Sequence, residues 1–227
     1  MRTASRRILP PARGSMKNDG CGMTTYEPHE WCLGAIRPEW QWLADAAANV
    51  NSQFGEDGII SAFFSRYGTT NRHCFEVGAA DGVFFSNTLE LRKAGWTACL
   101  IEPNPDDFLK LLTFADPKTK CVKAKVGTDG GRKIDDVLAE YDFPTDMDLG
   151  VIDIDSADYL AWQDMVVYRP RLMLVEFAEC RPGKAPPPKS ERKQAGEEAI
   201  IDLAEQKGYV PLVRTRVNLI CADKGVL

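Results

Sequence analysis

The chain alternates between two periodicities of apolar residues. Short apolar runs bounded by polar or small residues predict buried strands, whereas apolar residues that recur every three to four positions predict helices. Predicted strands cover residues 74–77, 97–101, 120–126, 149–154, 171–177, 209–214 and 217–221. Predicted helices cover 39–49, 106–114, 134–141, 157–167 and 197–207. A further helix begins at Ser52 and ends at Gly68, and another is capped by Asn87 with Glu90 as its capping-box partner.

The order of these elements predicts the fold class. Strands and helices in alternation are typical of a parallel sheet with helices on both faces. The last two strands are joined too closely for a crossover helix, so they should pair antiparallel. We therefore expect an α/β fold with a Rossmann-like, doubly wound and mostly parallel sheet. With 227 residues, of which 44% are hydrophobic, we expect a single domain, over residues 26–227.

Residues 1–25 differ from the rest in composition. Five basic residues precede the first acidic one, among Pro, Ser and Gly: Arg2, Arg6, Arg7, Arg13 and Lys17. This composition is typical of a disordered or leader-like arm. A transit-type leader, a cloning remnant and an upstream start are the alternatives, since Met16 and Met23 are each a plausible first residue.

Composition argues against several classes of function. The net charge of −5 and the pI of about 5.2 argue against a general nucleic-acid binder. No apolar run approaches the length that spans a bilayer. Four of the seven cysteines lie in strand-like runs and are expected to be buried free thiols, namely Cys74, Cys99, Cys121 and Cys221. Free thiols indicate a reducing, cytoplasmic setting.

Zinc and histidine chemistry have little support in the sequence. Cys21, His29 and Cys32 lack a fourth ligand and a regular spacing, which argues against a zinc site. His29 and His73 are the only histidines, and His73 precedes the first predicted strand. Since ligands bind at the opposite end of such strands, a His-based catalytic triad is not expected.

The loop after the first predicted strand carries the first chemical signal. The dinucleotide pattern G-x-G-x-x-G would need its third glycine at Val83 and does not fit. An acidic-x-G-x-(G/A)-x-G pattern does fit, at Glu76, Gly78, Ala80 and Gly82. This pattern resembles motif I of class I S-adenosylmethionine-dependent methyltransferases. A Gly-rich turn without a ligand is the alternative interpretation.

A second acidic residue ends the next strand. Glu102 follows the apolar run 97–101 and lies a little over twenty residues beyond the first motif. A carboxylate at this place can accept hydrogen bonds from both ribose hydroxyls of an adenosine. A solvated carboxylate at a strand end is the alternative.

Further carboxylates follow the fourth and fifth predicted strands. Asp153 and Asp155 alternate along an extended chain and should converge with Glu76 and Gly78 at one edge of the sheet. Glu176 adds another carboxylate to that edge. Like charges so close need a proton, a cation or several donors. They could therefore act as a general base, as an anchor for an amine or hydroxyl, or as metal ligands. A helix cap formed by Asp155 or by the adjacent serine is the structural alternative.

Segments along the chain match a known family in order. They are 52–60 (SQFGEDGII), 75–82 (FEVGAADG), 86–88 (SNT), 95–96 (GW), 100–103 (LIEP), 152–155 (IDID), 158–159 (DY), 168–171 (YRPR) and 175–177 (VEF). With these segments the chain resembles the FkbM-type methyltransferase family, a branch of the class I methyltransferases. The resemblance implies a sheet of order 3-2-1-4-5-7-6 with the last strand antiparallel. It also implies S-adenosylmethionine as cofactor and methyl transfer to an oxygen, often of a sugar.

The same resemblance implies roles for individual residues. Gln53 and Asp57 would close over the cofactor, and Glu102 would bind its ribose. The full set implied at the cofactor is Gln53, Asp57, Glu76, Gly78, Ala80, Asp81, Gly82, Asn87, Glu102 and Asp153. Asp153 and Asp155 would face the reacting centre and act catalytically. We thus expect an O-methyltransferase for a sugar or another small hydroxyl acceptor, with a divalent metal not favoured.

The chain departs from the family pattern on the acceptor side. Ser156 stands where a glycine is usual, and Ala157 and Ala178 stand where asparagines are usual. Two other functions therefore stay open. One is a metal-dependent sugar-nucleotide transferase that uses Asp153 and Asp155, and the other is an inactive nucleotide-binding module.

A basic, proline-rich segment at 181–193 follows the fifth predicted strand. Its position predicts a mobile lid that draws in an anionic acceptor, such as a phosphorylated or nucleotide-linked sugar. A solvated surface loop is the alternative.

Overall fold

The computed structural model describes residues 33–127, 130–179 and 194–227. Its strands are β1 (Gly34–Ala35), β2 (His73–Val77), β3 (Thr97–Ile101), β4 (Thr119–Val122), β5 (Leu149–Ile152), β6 (Leu172–Glu176), β7 (Tyr209–Arg214) and β8 (Asn218–Asp223). Its helices are α1 (Gln41–Ala44), α2 (Glu56–Tyr67), α3 (Leu89–Lys93), α4 (Pro105–Phe114), α5 (Ile134–Glu140), α6 (Asp158–Asp164) and α7 (Glu197–Gln206). The arm 1–25, the Cys21, His29 and Cys32 group and the basic segment 181–193 lie outside the described residues.

The α/β fold and the mostly parallel sheet are confirmed. The described strands form one sheet of order β1-β7-β8-β6-β5-β2-β3-β4. Neighbouring strands from β4 to β6 pair in parallel, whereas β8 runs antiparallel to β6 and β7. Counted from β2, this is the expected order 3-2-1-4-5-7-6. The one difference is β1, which pairs antiparallel with β7 at the sheet edge. Two residues are too few to give a strand pattern in the sequence.

Apolar side chains cover both faces of the sheet. On one face, Val137, Trp162 and Leu203 from α5, α6 and α7 join a continuous buried cluster. On the other, Leu43 of α1 and Phe63 of α2 lie in a second cluster. Because the central strands are buried on both faces, their sequences are continuous apolar runs. Packing on both faces holds the central strands in place, and with them the residues at their carboxyl ends.

The cysteines in the strands are free and mostly buried, as predicted. Cys74, Cys99 and Cys221 are buried and Cys121 is half-buried. Burial raises the pKa of each thiol, that of Cys99 to about 12. These thiols therefore pack as small apolar side chains. Across the described ranges, no helix has both the length and the apolar content needed to cross a membrane.

The helix predicted over 39–49 is shorter in the structure. A 3-10 turn at Pro38–Trp40 leads into α1, which ends at Ala44. Beyond it, the Asn49 Oδ1 atom accepts hydrogen bonds from Ser52 Oγ and from the Gly55 backbone. Asparagine readily forms such local side-chain bonds, which compete with helix continuation.

The second helix begins later than predicted. α2 begins at Glu56, four residues after Ser52. The Asp57 carboxylate accepts hydrogen bonds from the backbone N–H groups of Val50, Asn51 and Ser52, at 2.8, 2.7 and 2.7 Å. These bonds hold the preceding segment in a non-helical turn, which is why the chain cannot enter the helix at Ser52.

The capping box predicted at Asn87 is wrong. The residue that caps α3 is Thr88, and its side chain makes no capping bond. The backbone N–H of Asn87 donates to Glu76 Oε1, at 2.8 Å, so this residue is tied to β2. Glu90 instead accepts a bond from Asn51 Nδ2. A tertiary partner thus outweighs the local cap.

Three elements end earlier than predicted. β4 ends at Val122, β5 at Ile152 and α6 at Asp164. Past α6, the backbone N–H groups of residues 166–168 donate to the Asp135 carboxylate. That carboxylate lies on α5, so the sequence of α6 alone gives no sign of the stop.

Candidate functional site

The carboxyl ends of β2, β5 and β6 meet the β7–β8 turn around a cavity of about 530 Å³. Sites for small molecules typically measure about 300–1,000 Å³. The cavity is lined by Gln53, Phe54, Glu76, Gly78, Ala79, Ala80, Phe84, Phe85, Ser86, Asp153, Asp155, Glu176, Glu179, Gln194, Arg216 and Val217. β2 and β5 pair with each other, and the strand order reverses between them. Open α/β sheets bind their ligands at such a reversal.

Gly78 is the point of closest approach between β2 and β5. Its φ is +81°, a conformation that L residues rarely adopt. A Cβ atom at this position would overlap the carbonyl oxygen of Asp153. Only glycine therefore lets the loop after β2 lie directly against the residue that follows β5.

Glu76 is a buried carboxylate whose oxygens are bound by the chain itself. Its Oε2 atom accepts hydrogen bonds from Ser86 Oγ at 2.7 Å and from Thr88 Oγ1 at 2.6 Å. Its Oε1 atom accepts one from the Asn87 backbone at 2.8 Å. Glu76 lines the cavity, and these bonds hold the loop 86–88 against the end of β2.

Glu102 stabilises the loop that follows β2 by bonding its backbone. Its Oε2 atom accepts a hydrogen bond from the Ala80 backbone at 2.8 Å, and its Oε1 atom accepts one from the Asn104 backbone at 2.7 Å. Ala80 has a φ of +46°, so this bond stabilises an unusual turn. Glu102 is buried and does not line the cavity, but each of its carboxylate oxygens has a second lone pair that can accept a hydrogen bond.

Asp153, Asp155 and Glu176 form a cluster of three carboxyl groups. One oxygen of each lies within 4.8 Å of the others. At this separation the negative charges of the three groups repel one another, so protonation of one member relieves the repulsion. Burial, and after it the charges of neighbouring carboxylates, raise the pKa of Asp153 and Glu176. This arrangement can exchange a proton near neutral pH, and it can also bind a cation.

Asp155 has a strained backbone that the cluster holds in place. Its φ is +57°, and its N–H donates to Glu176 Oε2 at 2.9 Å. The following turn is fixed by Asp158, which accepts bonds from the Ile154 and Ser156 backbones at 2.8 and 3.1 Å. Burial raises the pKa of Asp158 to about 6. The cap residue of α6 is Ala157 and no side chain caps the helix, so the cap by Asp155 or Ser156 is not formed.

The other predicted cofactor residues lie around the cavity and do not line it. Asp81 Oδ1 accepts bonds from the Val83 and Phe84 backbones and shapes the loop after β2. Asp57 and Asn87 line a separate cavity of about 390 Å³ between α2 and α3. Gly82, with a φ of +74°, also belongs to the loop after β2, and a Cβ atom there would meet the Leu111 side chain.

Two features of the cavity wall went unnoticed in the sequence. The Arg216 guanidinium lies 5.6 Å from the centre of the Phe54 ring, and its Nε donates to Glu179 at 2.6 Å. Behind them, Glu56 is fully buried. It accepts bonds from Thr215 Oγ1, at 2.8 Å, from Asn218 Nδ2 and from the Phe54 backbone. Except for the bond between Glu56 and the Phe54 backbone, each contact joins residues more than thirty positions apart. Only the tertiary structure therefore reveals them.

Comparisons with known proteins were made at the level of sequence and structure. No family model and no curated protein matches the chain. Similar solved structures include the glycopeptide N-methyltransferase MtfA complexed with S-adenosyl-L-methionine, at 13% identity over 74% of this chain and 93% of that one, with a TM-score of 0.48. Others are a SAM-dependent methyltransferase from Aquifex aeolicus (12%, 71% and 88%, TM-score 0.42) and one from Archaeoglobus fulgidus (17%, 69% and 70%, TM-score 0.39).

Proposed function

We propose that the chain transfers the methyl group of S-adenosylmethionine to a hydroxyl group of a sugar or another small acceptor. The observation that carries this proposal is that one cavity is lined both by residues 78–80 of the loop after β2 and by Asp153 and Glu176. The loop offers a close approach to backbone, and the pair offers a group that can take up a proton.

The residues present fit the cofactor. Gly78, Ala79 and Ala80 line the cavity and carry no large side chain, so a ligand can approach the backbone of this loop. Glu102 would hold the ribose hydroxyls through its remaining lone pairs. Glu76 would act indirectly, by fixing the loop 86–88. When bound, S-adenosylmethionine supplies a methyl group that its sulfonium charge makes electrophilic.

The chain's own contribution would be positioning and proton uptake. Methyl transfer needs the acceptor oxygen held close to the methyl carbon, and positioning of this kind can lower a barrier substantially. Asp153 would accept the hydroxyl proton as the oxygen becomes nucleophilic. Because its pKa is raised by burial and by nearby carboxylates, it is a stronger base than an ordinary aspartate. Glu176 would fix the adjacent turn by accepting a hydrogen bond from the Asp155 N–H, at 2.9 Å.

Calorimetric titration tests the cofactor half of the proposal. We expect binding of S-adenosylmethionine and S-adenosylhomocysteine, but not of NAD or a sugar nucleotide. Glu102→Ala should weaken S-adenosylhomocysteine binding by about 1–3 kcal/mol, because hydrogen bonds to a charged acceptor are lost. Asp106→Ala, at an exposed position on the first turn of α4, is the matched control and should leave affinity unchanged. Failure of both adenosyl ligands to bind would refute the proposal.

The acceptor half is tested at Asp153. Asp153→Asn should retain affinity for S-adenosylhomocysteine and lose methyl transfer, because only the interaction with the transferring proton is removed. Equal loss of affinity and transfer would reassign Asp153 to cofactor binding.

A divalent metal is the second candidate at the same carboxylates. Asp153, Asp155 and Glu176 offer three oxygens within 4.8 Å of one another, a donor set suited to Mg²⁺ or Mn²⁺. Because the pKa values of Asp153 and Glu176 are raised, a proton on either group would compete with such an ion, so we do not favour it. Loss of transfer in EDTA, restored by Mg²⁺, would establish metal assistance instead.

A further inference from the structure

Two neighbouring aromatic side chains line the cavity while remaining largely open to solvent. Phe84 is 54% exposed and Phe85 39% exposed. Their ring centroids are 3.8 Å apart, with an angle of 39° between the planes. Exposed apolar surface beside a polar cavity is typical of a ligand contact.

The backbone beneath these rings is held in an unfavourable conformation. Phe85 has a φ of +57°, which is rare for a bulky residue. The turn is fixed on one side by Asp81 Oδ1, which accepts bonds from the Val83 and Phe84 backbones. It is fixed on the other side by Ser86 Oγ, which donates to Glu76. Strain that the surroundings maintain in this way concentrates at ligand-binding sites, and the rings are pre-organised as a result.

The cavity also brings these rings together with the carboxyl cluster. Asp153, Asp155 and Glu176 line the same space as Phe84 and Phe85. A ligand between them would contact an apolar, aromatic surface and a set of proton-accepting oxygens. A sugar could pack the C–H groups of one face on these rings, but each of its several hydroxyl groups would also need a polar partner. A flat aromatic ring with one hydroxyl group matches both.

We propose that the acceptor is a phenol whose ring packs on Phe84 and Phe85 and whose hydroxyl faces Asp153. This inference rests on the proposed methyl transfer and narrows its acceptor to an aromatic alcohol. In the step, the phenol oxygen forms a bond to the methyl carbon while the carbon–sulfur bond of S-adenosylmethionine breaks and its electron pair stays on sulfur. The phenolic proton passes to Asp153. A phenol loses its proton at a pKa of about 10, far more readily than an aliphatic alcohol, so a carboxylate suffices as base.

Ligand-observed NMR in the presence of saturating S-adenosylhomocysteine provides the test. The probes are 4-methylphenol, its saturated analogue 4-methylcyclohexanol, and methyl glucoside. We expect 4-methylphenol to bind about 5- to 10-fold more tightly than 4-methylcyclohexanol, because ring–ring contact adds to apolar burial. Phe84→Ala should abolish this preference and leave S-adenosylhomocysteine affinity within about twofold. Phe114→Ala, which removes a ring that is 55% exposed on α4, should change neither.

A second variant distinguishes the contribution of the Phe85 ring to binding from any contribution to stability. Phe85→Gly removes the side chain and suits the φ of +57°, so the protein should be at least as thermally stable and still lose phenol binding. The inference is overturned if methyl glucoside binds better than 4-methylphenol. It is also overturned if Phe84→Ala weakens S-adenosylhomocysteine and phenol equally, since the rings would then belong to the cofactor site.

The outcome stays decisive if neither adenosyl ligand binds. In that case methyl transfer is refuted, and the three probes are titrated into the protein alone. Phenol binding that Phe84→Ala removes would still support an aromatic-ligand site, and absence of phenol binding would refute it.

Discussion

The acidic residues at the ends of β2 and β3 differ from those at the ends of β5 and β6. Glu76 and Glu102 accept hydrogen bonds from backbone and hydroxyl groups of the chain, so each carboxylate has its donors. A carboxyl oxygen of Asp153 instead lies within 4.8 Å of one of Glu176, and burial, followed by the charges of neighbouring carboxylates, raises the pKa of both groups. The first pair stabilises the loops that shape the site. The second pair is electrostatically costly, and such costs concentrate where chemistry is done.

We expect the largest effect from replacing Glu76, because both of its carboxylate oxygens accept hydrogen bonds from the chain. Glu76→Ala would leave the hydroxyls of Ser86 and Thr88 and one backbone N–H buried without an acceptor. We expect the free energy of unfolding, from urea denaturation, to fall by about 3–5 kcal/mol. Glu76→Gln keeps one acceptor oxygen and should cost about 1–3 kcal/mol. Glu39→Ala, at an exposed acidic residue, should change stability by less than about 0.5 kcal/mol.

An intermediate effect is expected where the two regions touch. Gly78→Ala adds a methyl group that overlaps the Asp153 carbonyl oxygen at a φ of +81°. We expect a loss of about 2–4 kcal/mol in the free energy of unfolding. Gly82→Ala is the matched control, because its φ is +74° but its Cβ would meet the end of the Leu111 side chain, at 2.5 Å. It should cost about 1–2 kcal/mol. Equal losses would mean that backbone conformation alone, and not the contact with β5, explains the glycine.

The smallest effect should have the opposite sign. A carboxyl whose pKa is raised by folding stabilises the protein below its unfolded pKa of about 4, and this stability is lost as pH rises through the raised value. Glu176→Gln removes one member of the pair and keeps an acceptor for the Asp155 backbone. We expect its melting temperature to exceed that of the unmodified protein by about 2–5 °C at pH 8, with no gain at pH 5. A melting temperature that falls at pH 8 would show that the pair stabilises the fold, as Glu76 does.

The sheet was predictable from sequence because its strands are buried on both faces. The runs 97–101 and 149–152 are continuously apolar, and their burial leaves no other assignment. β1 was missed because it has two residues. The late start of α2 was missed because the three N–H groups that Asp57 binds belong to a turn with no pattern of its own.

The candidate site was predictable only in part. Gly78 and the carboxylates can be predicted from the sequence, because they stand at or just after the ends of predicted strands. Two features depend on the tertiary structure and could not be predicted. They are the hydrogen bonds from the loop 86–88 to Glu76 and the proximity of Asp153 to Glu176. The aromatic pair at Phe84 and Phe85 carried no signal, because its exposure follows from the strained turn beneath it.

The buried Glu56 sets the order in which the molecule can be completed. Its partner Thr215 lies 159 positions later in the chain, and Asn218 lies 162 positions later. During synthesis the ribosome makes α2 long before the β7–β8 hairpin that supplies these donors. Until the hairpin packs against α2, the Glu56 carboxylate lacks two of its hydrogen bonds. The wall formed by Phe54 and Arg216 is incomplete until then. A chain interrupted before Thr215 would lack β8, through which β7 and β1 join the sheet, and it would also lack the donors to Glu56, so we expect no finished cavity and no activity at this site.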